Sequence, residues 1–181
     1  MLLLVNGLVF SVFSLIFFFL KTFADATHFG DVGIFFTIST SAMISIRFVM
    51  GALFDAVNKA LLGIISLGLF AAGIGLMGGI NSTGQFYGVA ILYGMGIGAA
   101  TPLLNSLMFV ISKPEYRGMN TNLMLEMVDL GFFMGPLIGG LALAGGLVAE
   151  SILACCTGVI ILAAILLIPL LKTSPINMEI E

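Results

Sequence analysis

The stretch KPEYRGMNTNLMLEMVDLGFFMGPLIGG, residues 113–140, joins a short charged turn to a long apolar segment. Its apolar part, 123–140, contains two carboxylates, Glu126 and Asp129, and also Pro136. A helix of about 20 mostly apolar residues is long enough to span a bilayer. A carboxylate at the centre of such a helix costs about 2.5–3.5 kcal/mol on insertion scales, so acids there mark candidate functional sites. The stretch therefore predicts a spanning helix that carries a polar site.

The composition of the chain agrees with a membrane protein. Of its 181 residues, 60% are hydrophobic and 8% are charged, which is too little charge to cover a soluble domain. The sequence has no basic stripe that would bind nucleic acid. Its two cysteines, Cys155 and Cys156, are adjacent within an apolar run, so they predict neither a disulfide framework nor a metal site. We expect an all-α integral membrane protein without a cofactor.

Six segments are long and apolar enough to span a bilayer: 1–20, 32–54, 60–80, 86–112, about 116–144 and about 147–171. The longest connection between them is 21–33, so no soluble domain fits between the spans. We predict one six-helix transmembrane domain over 1–172 and a polar cytoplasmic tail over 173–181. The first segment lacks a positively charged start and a small-residue cleavage site, which favours a spanning helix over a removable signal.

Most of the lysines and arginines fall on one side of the predicted spans: Lys59, Lys113, Arg117 and Lys172. Only Lys21 falls among the connections of the other side. Because positive charge collects in cytoplasmic loops, the loops 55–59 and 113–118 are predicted to be cytoplasmic. Six spans then place both termini in the cytoplasm, and the membrane expected is the plasma (inner) membrane.

Two glycine motifs, GIGLMG (73–78) and GMGIGA (94–99), match the pattern of a dinucleotide-binding turn. That turn must follow a strand, whereas each motif lies inside a predicted spanning helix. We therefore expect these glycines to allow close contact between helices in the membrane. The single histidine, His28, lies in a connection. Without a nucleophile–base pair or a metal cluster, the sequence does not predict an enzyme.

Helical periodicity places the polar residues of the fifth predicted helix on one stripe, formed by Asn122, Glu126 and Asp129. We hypothesise that Glu126 or Asp129 binds and releases a proton, because a medium of low dielectric favours the neutral carboxyl group. The alternative is that each acid only bonds a neighbouring helix and fixes its packing. Asn105, on the fourth predicted helix, is a further candidate for the wall of a cavity.

A second stripe on the same helix consists of three glycines: Gly131, Gly135 and Gly139. It lies more than a right angle away from the acids, so the helix offers a smooth surface to a neighbour on that side. Pro136 lacks a backbone N–H and can kink the helix at this point.

The segment RFVMGALFDAVNK, residues 47–59, contains the end of the second predicted helix and the connection to the third. Four of its residues recur every four positions and so share a helix face: Arg47, Gly51, Asp55 and Lys59. Gly51 is expected to allow a close helix approach, and Asn58 to tolerate a left-handed turn. The simplest interpretation is that the basic residues only set the orientation in the membrane and that the segment ends a helix.

The pattern G-x-x-x-D, a tight turn and a basic residue resembles the cytoplasmic loop signature of the major facilitator superfamily. The chain departs from that signature at Ala56 and Asn58. The string P-x-x-R-G, a dozen mostly apolar residues and D-L-G-x-x-x-G-P-x-x-G-G resembles helices ten and eleven of drug- and sugar-efflux members. The preceding YGMGIGAATPLLN (93–105) supports the same match.

This resemblance implies a six-helix half-bundle of inverted three-helix repeats, in which 47–59 and Arg117 act as a cytoplasmic gating loop. It implies secondary transport, with proton-coupled export of small organic molecules favoured. Its expected partners are the bilayer, a small-molecule substrate and a second half, either the missing N-terminal six helices or another half-bundle. A transport-inactive half-bundle that serves as an assembly subunit is the alternative.

Overall fold

The computed structural model describes residues 1–27, 30–53 and 57–173. In those residues it has no strand and six α-helices: α1 Leu2–Thr27, α2 Val32–Leu53, α3 Lys59–Met77, α4 Thr83–Ile111, α5 Arg117–Ala144 and α6 Ala149–Leu167. Each helix contains a stretch long and apolar enough to cross a bilayer. The six predicted spans and the all-α membrane fold are confirmed.

The two largest differences from the predicted helix boundaries are at the ends of α1 and α6. α1 continues to Thr27, seven residues beyond the predicted end, because Lys21 and Asp25 leave the apolar pattern without breaking the backbone hydrogen bonds. α6 ends at Leu167 and passes into a 3-10 helix over Ile168–Thr173, where Pro169 has no backbone N–H to continue the α-helical hydrogen bonds. His28, Asp55 and residues 174–181 lie outside the described residues.

The packing of the helices follows a twofold pattern. α1 packs mainly on α5, and α4 packs on both α3 and α2. α3 contacts α4 just as α6 contacts α1, and α3 also packs on α6. Exchanging α1 with α4, α2 with α5 and α3 with α6 therefore reproduces the main helix pairings, as expected of two related three-helix repeats. α1 and α4 are central, and α2 and α5 flank them.

Most glycines of the two dinucleotide-like motifs lie at helix contacts, as predicted, whereas Gly78 ends α3 and meets no other helix among the described residues. A Cβ built on Gly96 would lie 2.6 Å from the Phe70 Cα, and one on Gly98 would lie 2.8 Å from the Met43 Cα. Both distances are shorter than the 3.5–4.0 Å or so at which carbon atoms pack. A Cβ built on Gly73 would also lie too close to the backbone of Tyr93, and one on Gly94 too close to the backbone of Ser39. Glycine at these positions lets α4 approach both α2 and α3.

Asn58 does not adopt the left-handed conformation that the sequence suggested. Its φ is −56° and its ψ is 115°, and its side chain caps α3 by accepting from the Ala60 and Leu61 amides. Its Nδ2 donates to the Leu171 carbonyl at 3.0 Å. Asparagine serves here as an N-cap that also ties α3 to the end of the chain's last helical segment.

Candidate functional site

The acidic stripe lies on the outer surface of α5. Asn122, Glu126 and Asp129 are all exposed in the six-helix bundle. α1 packs against the glycine side of α5. At 1.5 Å per residue, Glu126 and Asp129 lie roughly 14 and 18 Å along α5 from Arg117, which is near the middle of a hydrocarbon core about 30 Å thick.

The glycine stripe forms the contact with α1. Gly131, Gly135 and Gly139 are buried, and a Cβ on Gly131 would lie 2.7 Å from the Phe10 Cβ. Beside them, the Ser14 hydroxyl donates to the Gly131 carbonyl at 2.9 Å. Small residues and a polar bond together fix α5 against α1. Pro136 lies inside α5, which remains helical on both sides of it.

Asn6 of α1 also holds α5. Its Nδ2 donates to the Met124 carbonyl at 2.7 Å, and its side chain is buried. Sequence reasoning had no means of finding this partner, since Met124 is 118 residues away along the chain. The only signal was a lone amide in an otherwise apolar first helix.

The two acids differ in their position around α5. Phe132 contacts the rings of Phe10 and Phe13 on α1, at centroid distances of 6.2 and 5.9 Å. At about 100° per residue, Asp129 lies roughly 60° from Phe132 around the helix axis, and Glu126 lies roughly 120° away. Asp129 is therefore nearer to the central helices, and Glu126 is nearer to the exposed leucines Leu130 and Leu137.

Asn105 of α4 is half-buried. No hydrogen bond within the described part of the chain joins it to Glu126 or Asp129. One helical turn before it, the Thr101 hydroxyl donates to the Ile97 carbonyl of its own helix at 2.9 Å. The structure does not gather these polar groups into one cluster with the acids of α5.

A groove of about 470 Å³ lies between α2 and α4 and is lined partly by hydroxyl groups. The Thr37 and Ser41 hydroxyls donate to the Gly33 and Thr37 carbonyls of their own helix, each at 2.8 Å. Hydroxyls that bond their own backbone keep only lone pairs for a ligand. Their present contacts therefore fit a structural role.

The described residues of the predicted gating loop lie in three helices, α2, α3 and α5. Arg47 lies in α2, and its Nε donates to the Gly98 carbonyl of α4 at 3.3 Å. Lys59 is the first residue of α3. Within the described residues a Cβ on Gly51 would meet no atom within 4 Å, so the close helix approach expected there is absent. Asp55 lies outside the described residues.

Arg117 closes the turn between α4 and α5. Its Cζ lies 4.5 Å from the centre of the Phe109 ring, which is a cation–π contact. Its Nε is buried without a hydrogen-bond partner among the described residues. The Asn120 Nδ2 donates to the Ser112 Oγ at 2.7 Å in the same region. These contacts connect the two helices at the end where the sequence predicts the cytoplasm.

The polarity of the outer surface divides the helices into two groups. α2 exposes Thr40 and Arg47, and α5 exposes its acidic stripe. The large exposed hydrophobic side chains of α3 and α6 are aliphatic: Leu61, Ile65, Leu76, Ile161, Leu162 and Ile165. α6 exposes one acid, Glu150, in its first turn. α3 and the rest of α6 therefore suit contact with lipid, whereas α5 also exposes acids away from its ends. No group of residues able to hold a metal occurs in the described ranges.

Comparison with known proteins agrees with this architecture. Residues 2–179 match the family model of the Major Facilitator Superfamily. The chain belongs to the major facilitator superfamily. A transporter, rather than an enzyme, is the function that membership indicates, and the six spans make this member a multi-pass membrane protein.

One curated relative is the protein named MFS efflux transporter aclA of Aspergillus oryzae (strain ATCC 42149 / RIB 40). This facilitator chain is 30% identical to it over 101 residues, which are 56% of the chain and 18% of the relative. The match therefore covers a small part of a longer protein.

Proposed function

We propose that this chain forms one half of a proton-coupled secondary transporter that exports small organic molecules. The chain supplies six helices, and the functional unit adds a second six-helix bundle against α2 and α5. The efflux relative supports the direction of transport, and the family match supports transport itself. We place the unit in the plasma membrane, and the lysine and arginine distribution supports a cytoplasmic position for both termini of the six-helix bundle.

One observation carries the proposal: two carboxylates near mid-membrane are exposed on the surface of the bundle. Ionisable side chains within spans almost always face a bundle interior or a water-filled cavity, because hydrocarbon does not solvate them. The six helices leave Glu126 and Asp129 uncovered. A second bundle, with an aqueous cavity between the two, provides the environment that these acids need.

Within that unit we assign the proton to Asp129. It lies on the side of α5 where Phe132 meets the central α1, which would form the wall of the cavity. The neutral carboxyl group suits a closed cavity, and the ionised group suits one open to water. Alternation between the two states lets proton movement drive export. Glu126, on the leucine side, is assigned to contact with the second bundle.

Arg47 and Arg117 are assigned to the cytoplasmic end of the gate. Arg47 joins α2 to α4 through Gly98, and Arg117 joins α4 to α5 through Phe109. Both contacts link a flanking helix to the central α4. Rocking of the bundle would have to shift them together.

Export by reconstituted protein tests this proposal. The purified chain is placed in proteoliposomes, alone and with a six-helix N-terminal half of the superfamily, and loaded with a panel of small fluorescent organic compounds. We expect an imposed pH gradient to drive at least one compound across the membrane, and an uncoupler to stop it. Transport by neither assembly, with native mass spectrometry showing a stable pair of bundles, would favour an assembly subunit instead.

A further inference from the structure

The proline inside α4 removes a backbone hydrogen bond at the place where α2 packs on this helix. In a regular α-helix the N–H of residue 102 would donate to the carbonyl of Gly98, four residues earlier. Pro102 has no N–H, so this carbonyl loses its helical donor. An unsatisfied carbonyl is costly within a membrane, and a neighbouring helix can supply the missing donor.

The side chain of Arg47 on α2 supplies that donor. Its Nε donates to the Gly98 oxygen at 3.3 Å, across 51 residues of sequence. A Cβ on Gly98 would lie 2.8 Å from the Met43 Cα and 2.9 Å from the Ile46 Cγ2, so only glycine allows α2 to come this close. The residue that loses its helical donor is therefore also the residue that admits the helix carrying the replacement.

The contact of Arg47 is with a backbone group and not with an acid. Among the described residues no carboxylate forms an ion pair with it, and its hydrogen bond goes to the Gly98 carbonyl. A lysine or arginine that only sets the orientation in the membrane needs no such partner. The position of the Nε beside a carbonyl without its helical donor indicates a more specific role.

Pro102 divides α4 into two parts with different packing. Before it, three glycines hold the backbone of α4 close to α2 and α3: Gly94, Gly96 and Gly98. Beyond it, residues 103–111 pack through large side chains, among them the buried Leu103. The last turn carries Phe109, which contacts Arg117. A donor at Gly98 therefore acts where the closely packed part of α4 meets the part that leads to α5.

We propose that Arg47 is a positioning residue for α4. Its side chain replaces the backbone N–H that Pro102 lacks, and so fixes residues 103–111 relative to α2. This role requires a hydrogen-bond donor at the position of the Nε and does not require the positive charge. Any effect on export rests on the proposed function, whereas the bond is a property of this chain alone.

Two substitutions of Arg47 separate the donor from the charge. Arg47→Gln is neutral, and its Nε2 is as many bonds from the backbone as the Nε of arginine. Arg47→Met keeps an unbranched apolar stem and has no donor. Pro102→Ala restores the missing N–H, and Pro136→Ala is the matched control, because it changes the proline of another helix.

Nuclear magnetic resonance can observe the carbonyl directly. With carbon-13 in the glycine carbonyls and nitrogen-15 in alanine, correlated signals arise only from glycine–alanine pairs, which are residues 51–52 and 98–99. In the full chain in phosphatidylcholine nanodiscs, we expect Arg47→Met to shift the Gly98 carbonyl signal and Arg47→Gln to leave it near its wild-type position. The Gly51 signal reports any general change in α2. In the Pro102→Ala background, Arg47→Met should no longer move the Gly98 signal.

Reversible unfolding in detergent gives a second readout. Relative to Arg47→Gln, we expect Arg47→Met to raise the unfolding equilibrium constant about 3- to 10-fold, the loss of one hydrogen bond. In the Pro102→Ala background the two variants should agree within about twofold. In the Pro136→Ala background the full difference should remain. If Arg47→Met does not fold alone, it should fold together with Pro102→Ala.

Three results would each overturn the proposal: an unmoved Gly98 signal in Arg47→Met, equal behaviour of Arg47→Gln and Arg47→Met, or a difference between them that survives Pro102→Ala. Export by the reconstituted wild type is measured separately. The expected shifts without any export would leave the role of Arg47 standing and contradict the proposed function. Export with an unmoved Gly98 signal would do the reverse.

Discussion

At the residue scale, the contact between Gly135 and α1 leaves no room for a side chain. A Cβ on Gly135 would overlap the Ser14 hydroxyl and the Ser11 carbonyl and would lie 2.8 Å from the Leu15 nitrogen. Two of these three atoms belong to the backbone of α1, which cannot rotate away. Glycine is required at this position because α1 packs so closely against it, and not because of its own backbone conformation.

We therefore predict that Gly135→Ala lowers the free energy of unfolding by about 1–3 kcal/mol, the usual cost of overpacking. Gly140→Ala is the control on the same helix, because a Cβ there meets nothing within 4 Å. Alanine is the better helix former, so the control should be neutral or stabilising by up to about 1 kcal/mol. Reversible unfolding in detergent measures both. Equal effects of the two substitutions would contradict the contact described.

The sequence predicts the helix face on which a residue lies better than it predicts the group to which its side chain bonds. Helical spacing separates Glu126 and Asp129 from the glycines on one helix, and the structure places the two sets on opposite sides of α5. The partners of Asn6 and Asn58 lie more than 100 residues away, at Met124 and Leu171. Periodicity describes one helix at a time, so it cannot identify which helix supplies such a bond.

At the element scale, the sequence predicts the existence of the spanning helices better than it predicts where they end. Six spans could be predicted because burying a backbone polar group in lipid requires a helix. The end of α1 could not be predicted in this way, because α1 continues past Lys21 to Thr27, beyond the apolar run. Helix hydrogen bonds persist in water near the membrane surface, whereas hydropathy marks only the hydrocarbon boundary.

The proline inside α5 provides a prediction at this scale. Pro136 removes a backbone hydrogen bond inside the helix, a defect that costs about 3 kcal/mol in water. We expect Pro136→Ala to keep or raise the free energy of unfolding, by up to that amount, and to lower the export turnover of the assembled unit. Unfolding and export rates are measured on the same preparation. A variant that exports as fast as the wild type would show that transport does not need Pro136.

At the scale of the whole molecule, the inverted-repeat contacts make α1 and α4 the centre and leave two polar flanks. The aliphatic outer surfaces of α3 and α6 fit lipid, whereas the exposed Arg47, Glu126 and Asp129 do not. α2 and α5 thus carry exposed charges beside large exposed hydrophobic side chains such as Phe48 and Phe133. The proposed second bundle would cover those charges.

The most direct test of the transport proposal compares two single variants of α5. Proton-driven export is measured in proteoliposomes across a range of pH for the wild type, Asp129→Asn and Glu126→Gln. Neither substitution adds bulk, so both variants should assemble with unchanged helix content. We predict that Asp129→Asn abolishes export driven by a pH gradient, and that Glu126→Gln retains it with the pH dependence of the wild type. Unchanged pH-driven export in both variants, or loss in Glu126→Gln alone, would contradict the assignment of the proton to Asp129.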